Sequence, residues 1–209
     1  MATPRIDHIA VSLVAKIPDT LPNFNPLAAM ALPDTGNGIT ASYIIDLVNR
    51  ALLKLFNMYW GQLGKRITEI MPEIIKISQT INIDTGGYVI SSPYKDFFKI
   101  YSGNLSSGNG FIKLKDESKY ALYRGETYDE YTPTSAKPAI IQMNDRLYMF
   151  PATQTYGATL QYIRLPLDPE TGAFLTQNGS YDSPFTDQWN ETISDIGYNI
   201  YLQEANMTS

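Results

Sequence analysis

The longest helical pattern in the chain begins near residue 40. Its apolar side chains recur every three or four positions, at Ile44, Leu47, Val48, Ala51, Leu52, Leu55 and Tyr59. That interval predicts an amphipathic helix, which Thr40 or Ser42 caps at its N-terminus. Three ends are compatible with the pattern: the helix stops near Gly61, stops near Gly64, or continues towards Pro72.

A second, shorter helical stretch is predicted around Pro72. The apolar residues that indicate it are Ile67, Ile70, Ile74, Ile75 and Ile77. We therefore assign helices to residues 40–80, up to the point at Ile81 where the pattern changes.

A closing helix is predicted over residues 183–205. Its apolar positions are again three or four apart, at Phe185, Trp189, Ile193, Ile196 and Ile200. Ser183 or Thr186 supplies the N-cap, and Pro184 suits a first turn. Gly197 inside this helix costs about 1 kcal/mol relative to alanine, which indicates that another backbone approaches closely there.

Residues 1–39 are predicted to form a proline-rich N-terminal arm. With Thr3 as a cap and Pro4 as the first helical residue, the apolar residues between Ile6 and Ile17 fit a short amphipathic helix best. The alternation from Ile9 to Ile17 also fits a strand. Further along, prolines and apolar residues are interspersed: Pro18, Leu21, Pro22, Phe24, Pro26, Leu27, Met30 and Pro33. Proline at that density stops regular structure, and the apolar residues indicate an extended arm lying on another surface, of the same chain or of a neighbour.

The middle of the chain, residues 81–166, has the pattern of short strands. Predicted strands cover residues 88–91, 97–101, 111–114, 139–143, 146–150 and 156–165. The clearest hairpin uses the two-residue turn Asn144-Asp145, and Thr85-Gly86-Gly87 is a second turn. Residues 115–131 are charged and are assigned only to a solvated excursion.

This order of elements predicts an α+β fold. Helices from both parts of the chain carry apolar faces that need partners, and the simplest partners are each other. We expect residues 40–209 to form one folded unit. In it, the N- and C-terminal helices form a bundle, and the antiparallel β-rich segment 81–166 is an insertion.

Composition excludes several kinds of chemistry. The chain has no cysteine and one histidine, His8. Disulfides, thiolate metal sites and thiol nucleophiles are therefore excluded, and a His-rich metal site is not possible. The enzymatic options that remain are mainly carboxylate pairs and phosphate groups bound by backbone. His8 alone is not assigned a role as ligand or base.

Acidic pairs and a glycine-rich turn are weak signals for chemistry. The pairs are Asp116-Glu117, Asp129-Glu130 and Asp168 with Glu170. A glycosidase needs two carboxyl groups across a cleft, roughly 5–10 Å apart, and adjacency in sequence does not establish that. We interpret these residues as solvated loop charge, and Gly108-Asn109-Gly110 as a turn rather than a phosphate loop.

Charge and tyrosine content point towards surfaces. The net charge is −5, with nine basic and eight acidic residues in 1–104, and seven basic and thirteen acidic residues in 105–209. Among the 15 tyrosines, four lie in the charged stretch: Tyr120, Tyr123, Tyr128 and Tyr131. Negative charge there disfavours stacking on nucleic acid and favours packing or a protein interface. No run approaches the length of a membrane span, and we expect neither a signal peptide nor a membrane partner.

Taken together, several segments resemble a known family. They are LVNRALLKLF, PEIIKISQTINI, GGYVISSPYKDFFKIYSG, YTPTSAKPAIIQMNDRLYMFPA, ATLQYIRLP and WNETISDIGYNIYL. In this order they resemble head–tail connector (adaptor or ring) proteins of tailed bacteriophages, closest to those of short-tailed, crAss-like phages. The resemblance covers residues 40–205 and includes no catalytic motif. It therefore implies no catalytic, cofactor-binding or metal-binding residue, no cofactor and no enzymatic activity.

The resemblance implies a structural protein of the virion, assembled in the host cytoplasm. Such proteins form a ring, commonly twelve-fold, beneath the portal protein. They bind other tail or ring proteins and extend the channel through which genomic DNA passes without specific binding. An acidic chain that lines a channel would repel phosphate, as this expectation requires. The alternative is a carbohydrate- or receptor-binding tail module that uses the β segment and its tyrosines.

Overall fold

The computed structural model describes residues 6–17, 41–106, 112–124, 133–175 and 183–207. The chain divides into two compact units, and its fold is mixed α+β. We call residues 1–74 with 165–209 the helical unit, and residues 75–164 the β unit. The β unit is thus an insertion in the sequence of the helical unit.

The helices are α1 (Ile6–Val14), α2 (Ala41–Leu63), α3 (Ile67–Ile70), α4 (Tyr120–Arg124) and α5 (Asn190–Met207). Short 3₁₀ turns cover Gly64–Arg66, Pro72–Ile74, Glu117–Lys119 and Asp187–Trp189. The strands are β1 (Ile75–Ile77), β2 (Ile81–Ile83), β3 (Tyr88–Val89), β4 (Phe97–Leu105), β5 (Lys113–Lys115), β6 (Ala139–Met143), β7 (Arg146–Phe150) and β8 (Tyr156–Arg164).

Helix α2 follows the predicted apolar pattern. Its fully buried residues include Ile44, Leu47, Val48, Ala51, Leu52 and Leu55. The helix ends at Leu63, and Gly64 has a φ of +53°. Glycine adopts this left-handed conformation without steric cost. Of the three predicted ends, the one near Gly64 is therefore correct.

The N-terminal segment contains the predicted helix, α1, which packs against α2 and α5. Its buried face consists of Ile6, Ile9, Ala10 and Leu13, with Ile17 just beyond the helix. These five apolar side chains are removed from water because α1 packs against α2 and α5. Residues 6–17 therefore belong to the helical unit rather than to an arm. The predicted extended arm over residues 18–39 lies outside the described residues.

The closing helix begins later than predicted. Thr186 is extended, with φ −76° and ψ 167°, and α5 starts at Asn190 after a 3₁₀ turn. Glu73 Oε1 accepts hydrogen bonds from the Thr186 nitrogen and hydroxyl, both at 3.3 Å, and holds this segment out of the helix. At Gly197, a Cβ atom would lie 3.1 Å from Leu13 Cδ2 and 3.7 Å from the Leu47 carbonyl oxygen. The closest approach there is therefore made by a side chain.

The helix predicted to continue to residue 80 is wrong beyond residue 74. Ile75–Ile77 form strand β1, which pairs antiparallel with β8 in the register Ile75↔Ile163. Isoleucines in this stretch match both periods, and a partner strand distant in sequence selects the extended form. The β unit consequently covers residues 75–164 instead of 81–166.

Two sheets form the described part of the β unit. In the first, β8 is central: β4 pairs along one edge, while β1 and then β2 pair along the other. The second sheet has the order β3-β7-β6-β5. All pairings are antiparallel except that of β5 with β6. Both sheets contribute to one hydrophobic core, which includes Ile83, Ile100, Ile140, Leu147 and Leu160.

The predicted hairpin is confirmed residue by residue. Strands β6 and β7 pair from Ala139↔Phe150 to Met143↔Arg146, and Asn144 in the turn has a φ of +52°. Strand β4 runs four residues further than predicted, and β5 begins at residue 113 instead of 111. Part of the unassigned stretch 115–131 forms a 3₁₀ turn and α4, and residues 125–131 lie outside the described part of the chain.

Candidate functional site

A pocket in the β unit, which we call the aromatic pocket, is the site with the clearest binding features. Its volume is about 270 Å³. It is lined by Thr85, Gly86, Tyr120, Arg124, Tyr148, Met149, Phe150 and Ala152. This volume lies near the lower end of small-ligand sites, roughly 300–1,000 Å³, and suits one ring-sized group rather than a large ligand.

Local structure explains why tyrosines line this pocket. Strand β7 alternates, so Leu147 and Met149 are buried while Tyr148 between them is half-buried on the other face. Helix α4 carries Tyr120 and Arg124 four residues apart, a spacing that places both on one side of a helix.

The aromatic rings of the pocket pack against one another at tilted angles. Ring centroids of Tyr120 and Tyr148 lie 4.7 Å apart, and those of Tyr120 and Phe150 lie 5.9 Å apart at 73°. Tyr123 extends this cluster, 5.6 Å from Phe150. The guanidinium carbon of Arg124 lies 6.0 Å from the Tyr120 ring centroid, at the limit of a cation–π contact. Such packing fixes the ring positions before any ligand binds.

The turn before β3 forms the opposite side of the pocket. The Gly86 nitrogen donates a hydrogen bond to Asp84 Oδ1 at 2.8 Å, and Arg146 Nη1 donates to the Gly86 oxygen at 3.1 Å. Gly87 has a φ of +85°, and a Cβ atom there would lie 2.9 Å from the Tyr148 ring. Only glycine therefore allows this turn to approach Tyr148.

The lining offers aromatic faces, phenol hydroxyl groups and a guanidinium cation. These groups suit contact with a flat or puckered ring and a hydrogen bond or ion pair at its edge. The sequence prediction included Tyr120 and Tyr123, which belong to this cluster, whereas Tyr128 and Tyr131 lie outside the described residues. It missed Tyr148 and Phe150, although the alternation along β7 indicates which face Tyr148 occupies.

The acidic pairs act as local turn caps where the structure describes them. Asp116 Oδ1 accepts a hydrogen bond from the Ser118 nitrogen at 2.9 Å, which lowers the pKa of Asp116. Asp168 Oδ1 accepts hydrogen bonds from the nitrogens of Glu170 and Thr171, at 2.8 and 3.0 Å. Asp129-Glu130 and Gly108–Gly110 lie outside the described residues. Asp116 and Asp168 thus each order their own turn.

His8 is exposed on α1. Within the described ranges, no three His, Cys, Asp or Glu side chains are arranged to hold a metal ion. The same ranges contain no helix whose length and apolar character would let it cross a membrane.

A buried carboxylate, Asp96, forms a second polar cluster in the β unit. Asp96 is fully buried; Tyr162 donates a hydrogen bond to its Oδ1 at 3.1 Å, and Lys76 Nζ to its Oδ2 at 3.4 Å. Burial raises the pKa of Tyr162, and the Asp96 charge raises it further. Burial lowers the pKa of Arg164, which the Asp96 charge partly opposes. Asp96 therefore joins β1 and β8, the first and last strands of the unit.

In the helical unit, Arg50 connects α2 to α5. Its guanidinium forms ion pairs with Glu204 and with Asp46, the latter at 2.9 Å, and Tyr43 donates a hydrogen bond to Glu204 at 2.5 Å. Burial, followed by the Glu204 contact, raises the pKa of Tyr43 to about 12. The hydrogen bonds from Arg50 and Tyr43 lower the pKa of Glu204. This cluster fastens two helices and, being on their surface, does not form a pocket.

No protein-family model matches this sequence, and no curated protein matches it either.

Proposed function

We propose that this chain is a structural virion protein that forms a ring in the head–tail connector of a tailed bacteriophage. It would join the portal to the tail and extend the DNA channel. The helical unit would form the ring, and the β unit would contact other components of the connector.

The observation that carries this proposal is the order of the resembling segments. They fall on α2, on β1 and β2, on β3 and β4, on the β6–β7 hairpin, on β8 and on α5. Each segment is thus an element of a folded unit, and helices from both parts of the chain, α1, α2 and α5, pack together. A protein whose task is assembly needs such surfaces and no catalytic group.

Exposed apolar side chains provide contacts for a ring. In the helical unit, the large exposed ones are Val11, Met58, Ile70, Phe174 and Leu202. In the β unit, Ile77 is 64% exposed. Exposed apolar side chains on several different elements suit head-to-tail contacts, in which each copy presents two different surfaces to its neighbours.

The test is the oligomeric state of the purified full-length chain. Sedimentation velocity and negative-stain electron microscopy should show a closed ring of about a dozen copies. The variant Met58→Glu should lower the fraction in rings, whereas Asn57→Glu on the same helix serves as the control for added charge. A chain that remains a monomer or forms a trimer at all accessible concentrations contradicts the proposal.

A second candidate function is favoured by the aromatic pocket: a carbohydrate-binding tail module. Tyr120, Tyr148 and Arg124 offer a ring-stacking face with a polar edge. Binding of the full-length chain to a glycan array, abolished by Tyr148→Ala and retained by Tyr101→Ala, would favour this function over the connector.

A further inference from the structure

We propose that the aromatic pocket binds the proline-rich segment, residues 18–39, of a neighbouring copy of this chain. The inference deepens the proposed ring and rests on it. It commits the pocket to one occupant, with a sugar as the rival that the experiments below distinguish.

The chemistry of the pocket suits proline. Proline rings and extended proline-rich chains dock onto grooves lined by tyrosines, because the rigid chain loses little entropy on binding and the ring packs on an aromatic face. Tyr120 and Tyr148 are half-buried and already fixed by their contact at 4.7 Å. The volume of about 270 Å³ accommodates a single proline ring or apolar side chain.

The proline-rich segment carries the matching groups. Pro18, Pro22 and Pro26 follow one another at four-residue spacing. Between and after them lie the apolar residues Leu21, Phe24, Leu27 and Met30. Apolar side chains at this density favour burial against a surface over exposure to water.

Charge at the pocket complements this segment. Residues 18–39 contain Asp19 and Asp34 and no basic residue. Arg124 lines the pocket, and Arg146 is bound to the Gly86 oxygen beside it. Asp84 on the same side accepts a hydrogen bond from the Gly86 nitrogen. Arg124 and Arg146 are the cations available here to pair with Asp19 or Asp34 of the segment.

The proline-rich segment is long enough to extend away from the unit that holds its two ends. It is anchored at both ends, because α1 before it and α2 after it pack in the helical unit. Residues 18–40 comprise 23 positions, which span about 70 Å when extended at roughly 3.1 Å per residue. Such a connection can extend about 35 Å outwards and return. A segment of one copy bound to a pocket of the next is a head-to-tail contact, the type that closes a ring.

Cysteine cross-linking tests this inference directly, because the chain has no cysteine of its own. One cysteine is placed at the pocket by Ala152→Cys, at an exposed lining residue. The other is placed in the segment by Asn23→Cys, Asn25→Cys or Ala29→Cys, in three separate double variants of the full-length chain. A short bismaleimide then joins thiols that lie close together, and the products are separated by denaturing electrophoresis.

We expect a ladder of covalent dimers and higher multimers for at least one of the three double variants. The matched control replaces Ala152→Cys by Tyr101→Cys, at an exposed residue of β4 in the other sheet, and should give no ladder. Tyr148→Ala in the cross-linking variant should reduce the ladder at least fivefold, with hydrogen exchange of the β8 amides checking that the β unit is folded.

The remaining outcomes overturn the inference in distinguishable ways. Cross-linking within single chains means that the segment binds its own pocket. Rings without any cross-link at residue 152 contradict the inference while the proposed function stands. A chain that stays monomeric contradicts both. Glycan binding that depends on Tyr148, in rings without a cross-link, assigns the pocket to a sugar.

Discussion

Each unit contains a buried polar side chain that holds distant parts of its own chain together, and the two side chains differ in kind. In the helical unit, Asn49 is 1% exposed and holds the returning chain at Leu175. Its side chain accepts a hydrogen bond from the Leu175 nitrogen at 2.9 Å and donates one to the Leu175 oxygen at 2.9 Å. In the β unit, the charged Asp96 connects β1 and β8 by accepting hydrogen bonds from Lys76 and Tyr162. The buried contact made by Asn49 is thus neutral, whereas the one made by Asp96 is charged. The two units should therefore respond differently to substitution of these residues.

The position of the tryptophans allows the unfolding of each unit to be followed by its own probe. Both tryptophans, Trp60 and Trp189, lie in the helical unit, where the Trp189 ring packs edge-on against Tyr59 at 5.5 Å. Tryptophan fluorescence therefore reports the unfolding of the helical unit alone. Hydrogen exchange of β8 amides reports the β unit, because β8 is central in its sheet.

The largest effect is expected for Asn49→Leu. The substitution removes three hydrogen bonds, including one to the Ile45 oxygen at 2.8 Å, and leaves the Leu175 backbone buried without its partner. We expect the free energy of unfolding of the helical unit to fall by about 3 kcal/mol. Urea titration followed by tryptophan fluorescence measures this change. Asn57→Leu, at an exposed position of the same helix, is the control, and equal midpoints for the two variants would contradict the role of Asn49.

A smaller effect, confined to the β unit, is expected for Asp96→Asn. The amide keeps the shape of the side chain but removes the charge opposite Lys76 and near Arg164. Weakening the hydrogen bonds that the Asp96 carboxylate accepts should cost the β unit about 2 kcal/mol. Hydrogen exchange should become faster in β1 and β8, while the tryptophan transition stays in place. Glu117→Gln, an exposed change in the same unit, should alter neither; a shifted tryptophan transition in Asp96→Asn would contradict independent fastening.

Two glycines of the helical unit provide a matched pair with effects of opposite sign. At Gly61 a Cβ atom meets nothing within 4 Å, so Gly61→Ala should stabilise α2 by about 0.5 kcal/mol. At Gly197 the Cβ atom would lie 3.1 Å from the fully buried Leu13, which has little room to move. Gly197→Ala should therefore destabilise the unit by about 1 kcal/mol. If both variants are more stable in the urea titration, the Leu13 side chain moves to make room for the added methyl group, and this prediction is wrong.

How much of this could be predicted from sequence differs between local and long-range features. The hairpin of β6 and β7 was predictable because its alternation and its Asn144-Asp145 turn act over a dozen residues. Strand β1 was not, because Ile75 and Ile77 fit a helical spacing and only pairing with Ile163, far along the chain, makes them extended. A single-sequence pattern does not contain that partner.

The candidate site divides in the same way. Tyr120 and Tyr123 stood out as tyrosines in a charged stretch, but their partners Tyr148 and Phe150 come from a strand two dozen residues later. Asp96 gave no signal at all, since a lone aspartate before a strand is usually a turn residue. Its burial depends on Tyr162 and Lys76, which the sheet topology brings to it.

The smallest effect, and a pH-dependent one, is expected at the surface cluster of Arg50 in the helical unit. The pKa of Glu204 is lowered in the folded state, first by Arg50 and then by Tyr43. A carboxyl group with a lowered folded pKa stabilises the fold above its unfolded pKa, and this contribution is lost as the pH falls through the folded pKa. Because Glu204 is half-exposed, the contribution should be roughly 0.5 kcal/mol.

Glu204→Gln isolates this contribution. Between pH 7 and about pH 3, the wild-type helical unit should lose slightly more stability than the variant, as measured by urea titration with tryptophan fluorescence.

Tyr43 gives the complementary test at high pH. Because its pKa is raised to about 12, its neutral form stabilises the fold below the ordinary tyrosine value of 10.0, and this is lost as the pH rises towards 12. Tyr43→Phe should remove that alkaline loss; if wild type and both variants titrate in parallel, the cluster does not couple protonation to folding.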